Sequence, residues 1–146
     1  QSTVVGPQGP PGPEGNANVK IYKFGGHDFQ TNFQKAVSIE GITSDTMSNS
    51  VWFIYLSRYG SFSQIDNMVP GISPWGSYYN SWNIYLQSNE RVTFLIALES
   101  GKGESYDSIK MVRIYSNTTT GRPEESLPDI DFKDFKAVKD YYGIKE

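Results

Sequence analysis

One histidine, His27, stands in the run Gly25-Gly26-His27-Asp28, and the chain has no cysteine. A catalytic histidine needs a nucleophile or a substrate proton within reach, and Ser and Asp are too common around His27 to mark one. A structural or catalytic zinc site draws on several His or Cys side chains, so His27 alone does not make one. It is read as a turn residue. The lack of cysteine excludes disulfides, thiolate metal ligands and cysteine nucleophiles. Asp129, Asp131 and Asp134 are close enough in sequence to suggest calcium, but the stretch lacks the spacing, the central glycine and the closing Glu of an EF-hand loop. Capping of a following helix accounts for Asp131 instead. Calcium held between the loops of a sandwich stays open at this level. No glycine motif of the phosphate-cradling kind is present. The expectation is a protein that is not an enzyme, with no catalytic residue, no cofactor and no resident metal. Asn117-Thr118-Thr119 matches an N-glycosylation acceptor, which matters only in a host that performs that modification.

The most suggestive cluster is aromatic. Residues 74–82 read Pro-Trp-Gly-Ser-Tyr-Tyr-Asn-Ser-Trp, with four large rings among small polar residues. Aromatic faces stack on sugars and other ligands, which makes Trp75, Tyr78 and Tyr79 the candidate ligand-binding residues. The competing reading is that these rings close one end of a sandwich or pack between its sheets. Trp82 alternates with Ile84 and Leu86 and is assigned to the core.

Of 146 residues, 37% are hydrophobic, and the 14% that are aromatic favour pleated surfaces. The 13 basic and 16 acidic side chains leave a net charge of −3. That argues against nucleic acid, since phosphate binding needs clustered Lys and Arg. No apolar run approaches the roughly 18 residues of a membrane-spanning helix.

Residues 1–17 are of another kind. Glycine recurs at Gly6, Gly9, Gly12 and Gly15, and proline fills four of the first six X and Y positions. In a collagen triple helix only glycine fits at the crowded axis, and proline presets the polyproline II backbone. These residues are therefore read as an extended collagen-like tail or linker, too short in triplets to hold three chains together alone. Residues 18–146 form the head.

Within the head, short β-branched and aromatic runs alternate with turn clusters. Strands are expected at 19–24, 33–40, 50–57, 81–87, 91–99 and 109–115, with a weaker candidate at 62–72 interrupted by Pro70-Gly71. Residues 50–57 are apolar on both faces, as in a central strand covered on both sides. Val92, Phe94, Ile96 and Leu98 line one face. Ser88-Asn89-Glu90 reads as a hairpin connection, and 41–49 as a turn region. Near the C-terminus, Phe132, Phe135, Val138 and Tyr142 recur every three to four residues, predicting a helix with Asp131 as N-cap and Gly143 as its stop. Lys133, Lys136 and Lys139 lie on its polar side, where a solvated face balanced by Asp134 and Asp140 explains them better than a basic stripe for a partner. The fold expected is all-β: an antiparallel two-sheet β-sandwich, jelly-roll-like, with a short C-terminal helix and the extended collagen-like stub.

The junction Gly12-Pro13-Glu14-Gly15-Asn16-Ala17-Asn18-Val19 and the closing segment Asp134 to Ile144 together resemble bacterial collagen-like surface lipoproteins. In that family a triplet tract follows a lipidated cysteine and precedes a β-sandwich head. The resemblance implies an exported protein at the bacterial cell surface or outer membrane, lipid-anchored through an upstream residue. Within that family function is largely uncharacterised; the function expected here is binding or adhesion toward a protein or glycan, with a homotrimer through the Gly-X-Y tract as the expected partner arrangement. The resemblance transfers no site residues. The layout also resembles the trimeric heads behind collagen stalks in complement-type proteins, by analogy alone. The alternative function is a carbohydrate-binding module using the aromatic loop.

Overall fold

The computed structural model describes residues 18–116 and 127–146. The collagen-like glycines and Asn117 lie outside the described residues. Eight strands form two antiparallel sheets. They are β1 (Val19–Asp28), β2 (Gln34–Glu40), β3 (Ser50–Tyr59), β4 (Gln64–Val69), β5 (Gly71–Ile72), β6 (Tyr78–Leu86), β7 (Arg91–Ser100) and β8 (Ser105–Tyr115). The first sheet has the order β1-β8-β3-β4 and the second β2-β7-β6-β5. The pairs β1–β8 and β2–β7 join strands far apart in the chain, and β3–β4 and β6–β7 are hairpins.

Alternation along the strands decides what each sheet buries. Val92, Phe94 and Ile96 of β7 meet Ile54 and Leu56 of β3 and Ile109 and Met111 of β8 between the sheets. The opposite side of the first sheet carries Phe53, Tyr55, Val112 and Ile114, a second apolar layer. Helix α2 (Phe135–Tyr142) covers that layer with Phe135, Val138 and Tyr142. So β3 is buried on both faces, as its sequence predicts. Each large side chain sealed in this way contributes about 1.5–3 kcal/mol.

The helix follows its expected apolar spacing, with one correction. Its N-cap is Asp134, whose carboxylate accepts from the Lys136 backbone N–H at 3.0 Å. Asp131 instead accepts from the Lys133 N–H at 3.1 Å, in the turn before the helix. Phe132 therefore lies outside the helix and stacks on Phe53, with ring centroids 4.4 Å apart. Gly143 closes the helix in the left-handed conformation. Two of the three lysines are engaged by carboxylates: Lys136 by Asp140 and Lys139 by Glu146.

Other boundaries move too. The 62–72 segment divides into β4 and β5, which belong to different sheets, and the cis Val69–Pro70 peptide lies where the chain crosses between them. The region 41–49 holds a one-turn helix, α1 (Ser44–Ser48), capped by the Thr43 hydroxyl. Residues 88–90 do connect β6 to β7, through a 3-10 turn at Gln87–Asn89 and Glu90 at positive φ.

The antiparallel pairing gives the sandwich two distinct ends. Val19 pairs with Ile114, near the 41–49 region and the β6–β7 turn. This end, which begins at Asn18, the first described residue, is called the base. Ten residues of β1 later, about 30 Å away at the usual strand rise, lies the other end. The loops at 29–33, 60–63, 73–77 and 101–104 gather there, and this end is called the tip.

Candidate functional site

The tip is assembled around a buried carboxylate. Glu104 is only 6% exposed. Its Oε2 accepts from the Ser77 hydroxyl at 2.7 Å, and its Oε1 accepts from Tyr79 at 2.8 Å and from Tyr106 at 3.0 Å. Ser77 and Tyr79 also accept from the backbone beside it: Gly103 N–H donates to Ser77 Oγ and Glu104 N–H to the Tyr79 hydroxyl, both at 2.9 Å. The Glu104 carbonyl accepts from Phe29 N–H at 3.0 Å. One residue thereby ties the β1–β2, β5–β6 and β7–β8 loops together. Phe29 seals the cluster edge-on, with its ring 4.9 Å from Tyr79 and 6.2 Å from Tyr106.

The electrostatics follow from this crowding of donors. Burial pushes the Glu104 carboxyl up, but donation from Ser77, Tyr79, Tyr106 and Ser73 outweighs it, and the net effect holds the group below the usual value of 4.5. Burial and the bond to that carboxylate push Tyr79 up to about 12, and Tyr106 is raised for the same reasons, chiefly burial. At neutral pH the cluster is one anion held by neutral hydroxyl donors.

Gly103 is needed where it stands. Its φ is +82°, and an added Cβ would come within 3.0 Å of the Phe29 carbonyl oxygen and 2.9 Å of a Leu98 methyl.

The candidates named from the sequence separate in space. Trp75 is half exposed at the tip, and the Arg58 guanidinium lies 4.8 Å from the centre of its ring. Tyr78 is half-buried at the start of β6. Tyr79 is fully buried and its hydroxyl is committed to Glu104, which removes it from any contact surface and makes it part of the scaffold beneath. Trp82 is a correction in the other direction. It is 41% exposed and, with Ile84 and Leu86, lies on the outer face of the second sheet, because Tyr79 and Tyr85 take the inward positions of β6. His27, read as a turn residue, instead lies near the end of β1 opposite Tyr106; it donates through Nε2 to the Asn32 carbonyl at 2.8 Å in the turn that follows and packs edge-on against Phe29. Among the described residues no three His, Asp or Glu side chains converge as metal ligands. No described helix is long and apolar enough to cross a membrane.

No protein-family model, curated protein or solved structure significantly matches this chain.

Eight large hydrophobic side chains are exposed among the described residues. Five of them, Phe33, Tyr59, Phe62, Ile72 and Trp75, belong to the tip, and the other three are the Trp82 stripe. The sequence singles out only Trp75 of the five. Phe62 sits alone in a Gly-Ser-Phe-Ser turn, and its position at the same end as Trp75 depends on how the two sheets pack. Nothing in the sequence marks Glu104: Gly-Lys-Gly-Glu reads as a solvated turn, and its side-chain partners are up to 27 residues away along the chain.

Proposed function

We propose that this chain is a non-enzymatic cell-surface protein whose β-sandwich head is carried on a collagen-like stalk and presents its tip to a protein or glycan partner. The observation that carries this reading is the polarity of the head. The Gly-X-Y sequence joins at the base, and most of the exposed large apolar side chains lie at the opposite end. Exposed aromatics on loops set by a rigid scaffold are the usual material of a contact surface. Export and a lipid anchor belong to the same reading, through the resemblance to collagen-like lipoproteins.

Trimerisation follows from the tract, since three polyproline II chains share one axis with glycine at its centre. Linking three heads would raise the avidity of individually weak tip contacts. The triplets present are few, so side contacts between heads would have to help. Trp82, Ile84 and Leu86 form an exposed apolar stripe along β6, bordered by Leu95, Thr93 and Arg91, that offers a contact for a second copy of the chain.

Sedimentation equilibrium on the full chain with its collagen-like tract is expected to give a three-chain mass, and Trp82→Ser with Ile84→Lys is expected to shift the population toward single chains while the head stays folded. A monomer at all concentrations would remove the stalk-driven part of the proposal.

The second reading is a carbohydrate-binding module. It is favoured by the half-exposed Trp75 indole at the tip, and it now rests on Trp75 and Tyr78, without Tyr79.

A further inference from the structure

A cavity of about 270 Å³ opens at the tip, lined by Gln30, Arg58, Trp75, Lys102, Gly103 and Glu104. Drug-sized ligands occupy about 300–1,000 Å³, so this space suits a single ring. Its chemistry is uneven. Arg58 forms no ion pair or side-chain hydrogen bond among the described residues, and its guanidinium rests on the Trp75 ring. Lys102 is exposed on the neighbouring loop and has no carboxylate partner there either. The exposed Gln30 side chain adds an amide that can both donate and accept.

The one carboxylate in the lining is already occupied. Glu104 turns both oxygens toward Ser77, Tyr79 and Tyr106, and its place is the floor that fixes the loops. Two unpaired cations beside a half-exposed indole thus face solvent over a rigid base. A planar guanidinium braced on an aromatic ring is pre-oriented for bidentate contact with a carboxylate. The indole supplies a flat apolar surface for the C–H face of a sugar ring.

We propose that the tip cavity binds a carboxylated saccharide of the hexuronic or sialic acid class. Its carboxylate pairs with Arg58, Lys102 adds charge attraction, and the pyranose packs against Trp75. The inference rests on the reading of the tip as the binding end, and it adds the ligand class. It also explains why an arginine at a strand end stays unpaired in a chain with a net charge of −3. Presented three at a time, single-ring contacts with dissociation constants near the millimolar range become useful binding.

The test is a titration of isotope-labelled protein with D-glucuronic acid, N-acetylneuraminic acid, glucose and sodium sulfate, followed by amide shifts. The two acidic sugars are expected to bind, with shifts confined to residues 30, 58, 75 and 102–104, and glucose and sulfate at least about tenfold more weakly. Arg58→Gln is expected to weaken the acidic sugars by about tenfold or more, Trp75→Ala by a similar factor, and Lys102→Gln by a few-fold. All three side chains are at least partly exposed, so the variants should melt within a few degrees of the wild type. Equal binding of glucose, or Arg58→Gln without effect, would overturn the acidic-ligand inference and leave the tip reading standing. Equal binding of sulfate would reduce the cavity to a general anion site and overturn it as well. Shifts mapping to the base or to the second sheet's outer face would overturn both.

Discussion

Replacing Glu104 with alanine is expected to lower the unfolding free energy by about 3–5 kcal/mol, and the melting temperature by about 10–20 °C. The loss is large because three buried hydroxyls lose their shared acceptor at once. Tyr79, Tyr106 and Ser77 all donate to this carboxylate, and Tyr79 and Ser77 are no more than 1% exposed. A buried donor without a partner costs its desolvation in full, where an ordinary hydrogen bond contributes only about 1 kcal/mol net. Glu104→Gln keeps one acceptor oxygen and the shape, and it should cost less than half as much.

The pH dependence has a definite sign. The folded carboxyl is held below 4.5, so between the folded and unfolded values the unfolded chain binds more protons. The contribution of Glu104 is then fully present above about pH 4.5 and is lost as pH falls through the folded value. Urea titrations from pH 3 to 7 should show a flatter profile for Glu104→Gln than for the wild type. A cost below about 1 kcal/mol for Glu104→Ala would mean the cluster is ornamental to stability.

The second large effect concerns a lysine sealed under the helix. Lys110 is 1% exposed on the outer face of the first sheet. Its Nζ lies 2.9 Å from Glu146 Oε2 and 3.7 Å from Asp66 Oδ1, and 4.7 Å above the Phe135 ring. Removing Glu146 strands the fully buried ammonium, whereas removing the cation leaves partly exposed carboxylates that keep other partners, Lys139 for Glu146 and Ser57 for Asp66. Glu146→Ala is therefore expected to destabilise by about 2–4 kcal/mol, less than a full pair loss because Asp66 remains. Lys110→Met should be within about 1 kcal/mol of the wild type. In the Lys110→Met background, Glu146→Ala should cost far less than alone, and this double-mutant cycle measures the coupling. Burial pulls the Lys110 ammonium down, but Glu146 and Asp66 raise it overall, so its contribution is present below about pH 10.5 and is lost as pH rises through the folded value. Glu146 behaves oppositely: burial pushes it up, Lys110 and Lys139 bring it below 4.5, and its contribution is lost at acid pH. Additive single and double mutants would show that the pair carries no coupling.

Lys110 also shows where a sequence stops being informative. The run Ile109 to Tyr115 marks a strand, and Lys110 lies on its outer face with Val112 and Ile114. Burial comes from α2, which packs over that side, and nothing local to β8 announces it. The same limit explains Trp82. Its alternation with Ile84 and Leu86 marks a strand correctly, but period two does not say which side meets the other sheet. On β6 the tyrosines take the inner positions, with Tyr79 held by Glu104 and the Tyr85 hydroxyl donating to the Ile42 carbonyl at 2.7 Å. Where both faces are apolar, as in Trp52 to Leu56, or one face is plainly aliphatic, as in Val92 to Leu98, the two-sheet architecture is legible. The closing helix is legible from Phe135, Val138 and Tyr142, although its cap lies three residues later than Asp131. The tip is legible only through Trp75. Arg58 comes from β3, Lys102 and Glu104 from the β7–β8 loop and Trp75 from the β5–β6 loop, and only the fold makes the three segments neighbours.

One carboxylate, Glu104, holds the tip loops in a single shape at the end of the head opposite Val19. Native-state hydrogen exchange on the wild type and Glu104→Gln tests this most directly. The expected result is a selective loss of protection at Phe29, Ser77, Gly103 and Glu104, with the amides of β3 and β8 near the base unchanged. Protection that is unaltered at the tip, or lost evenly across both ends, would contradict it.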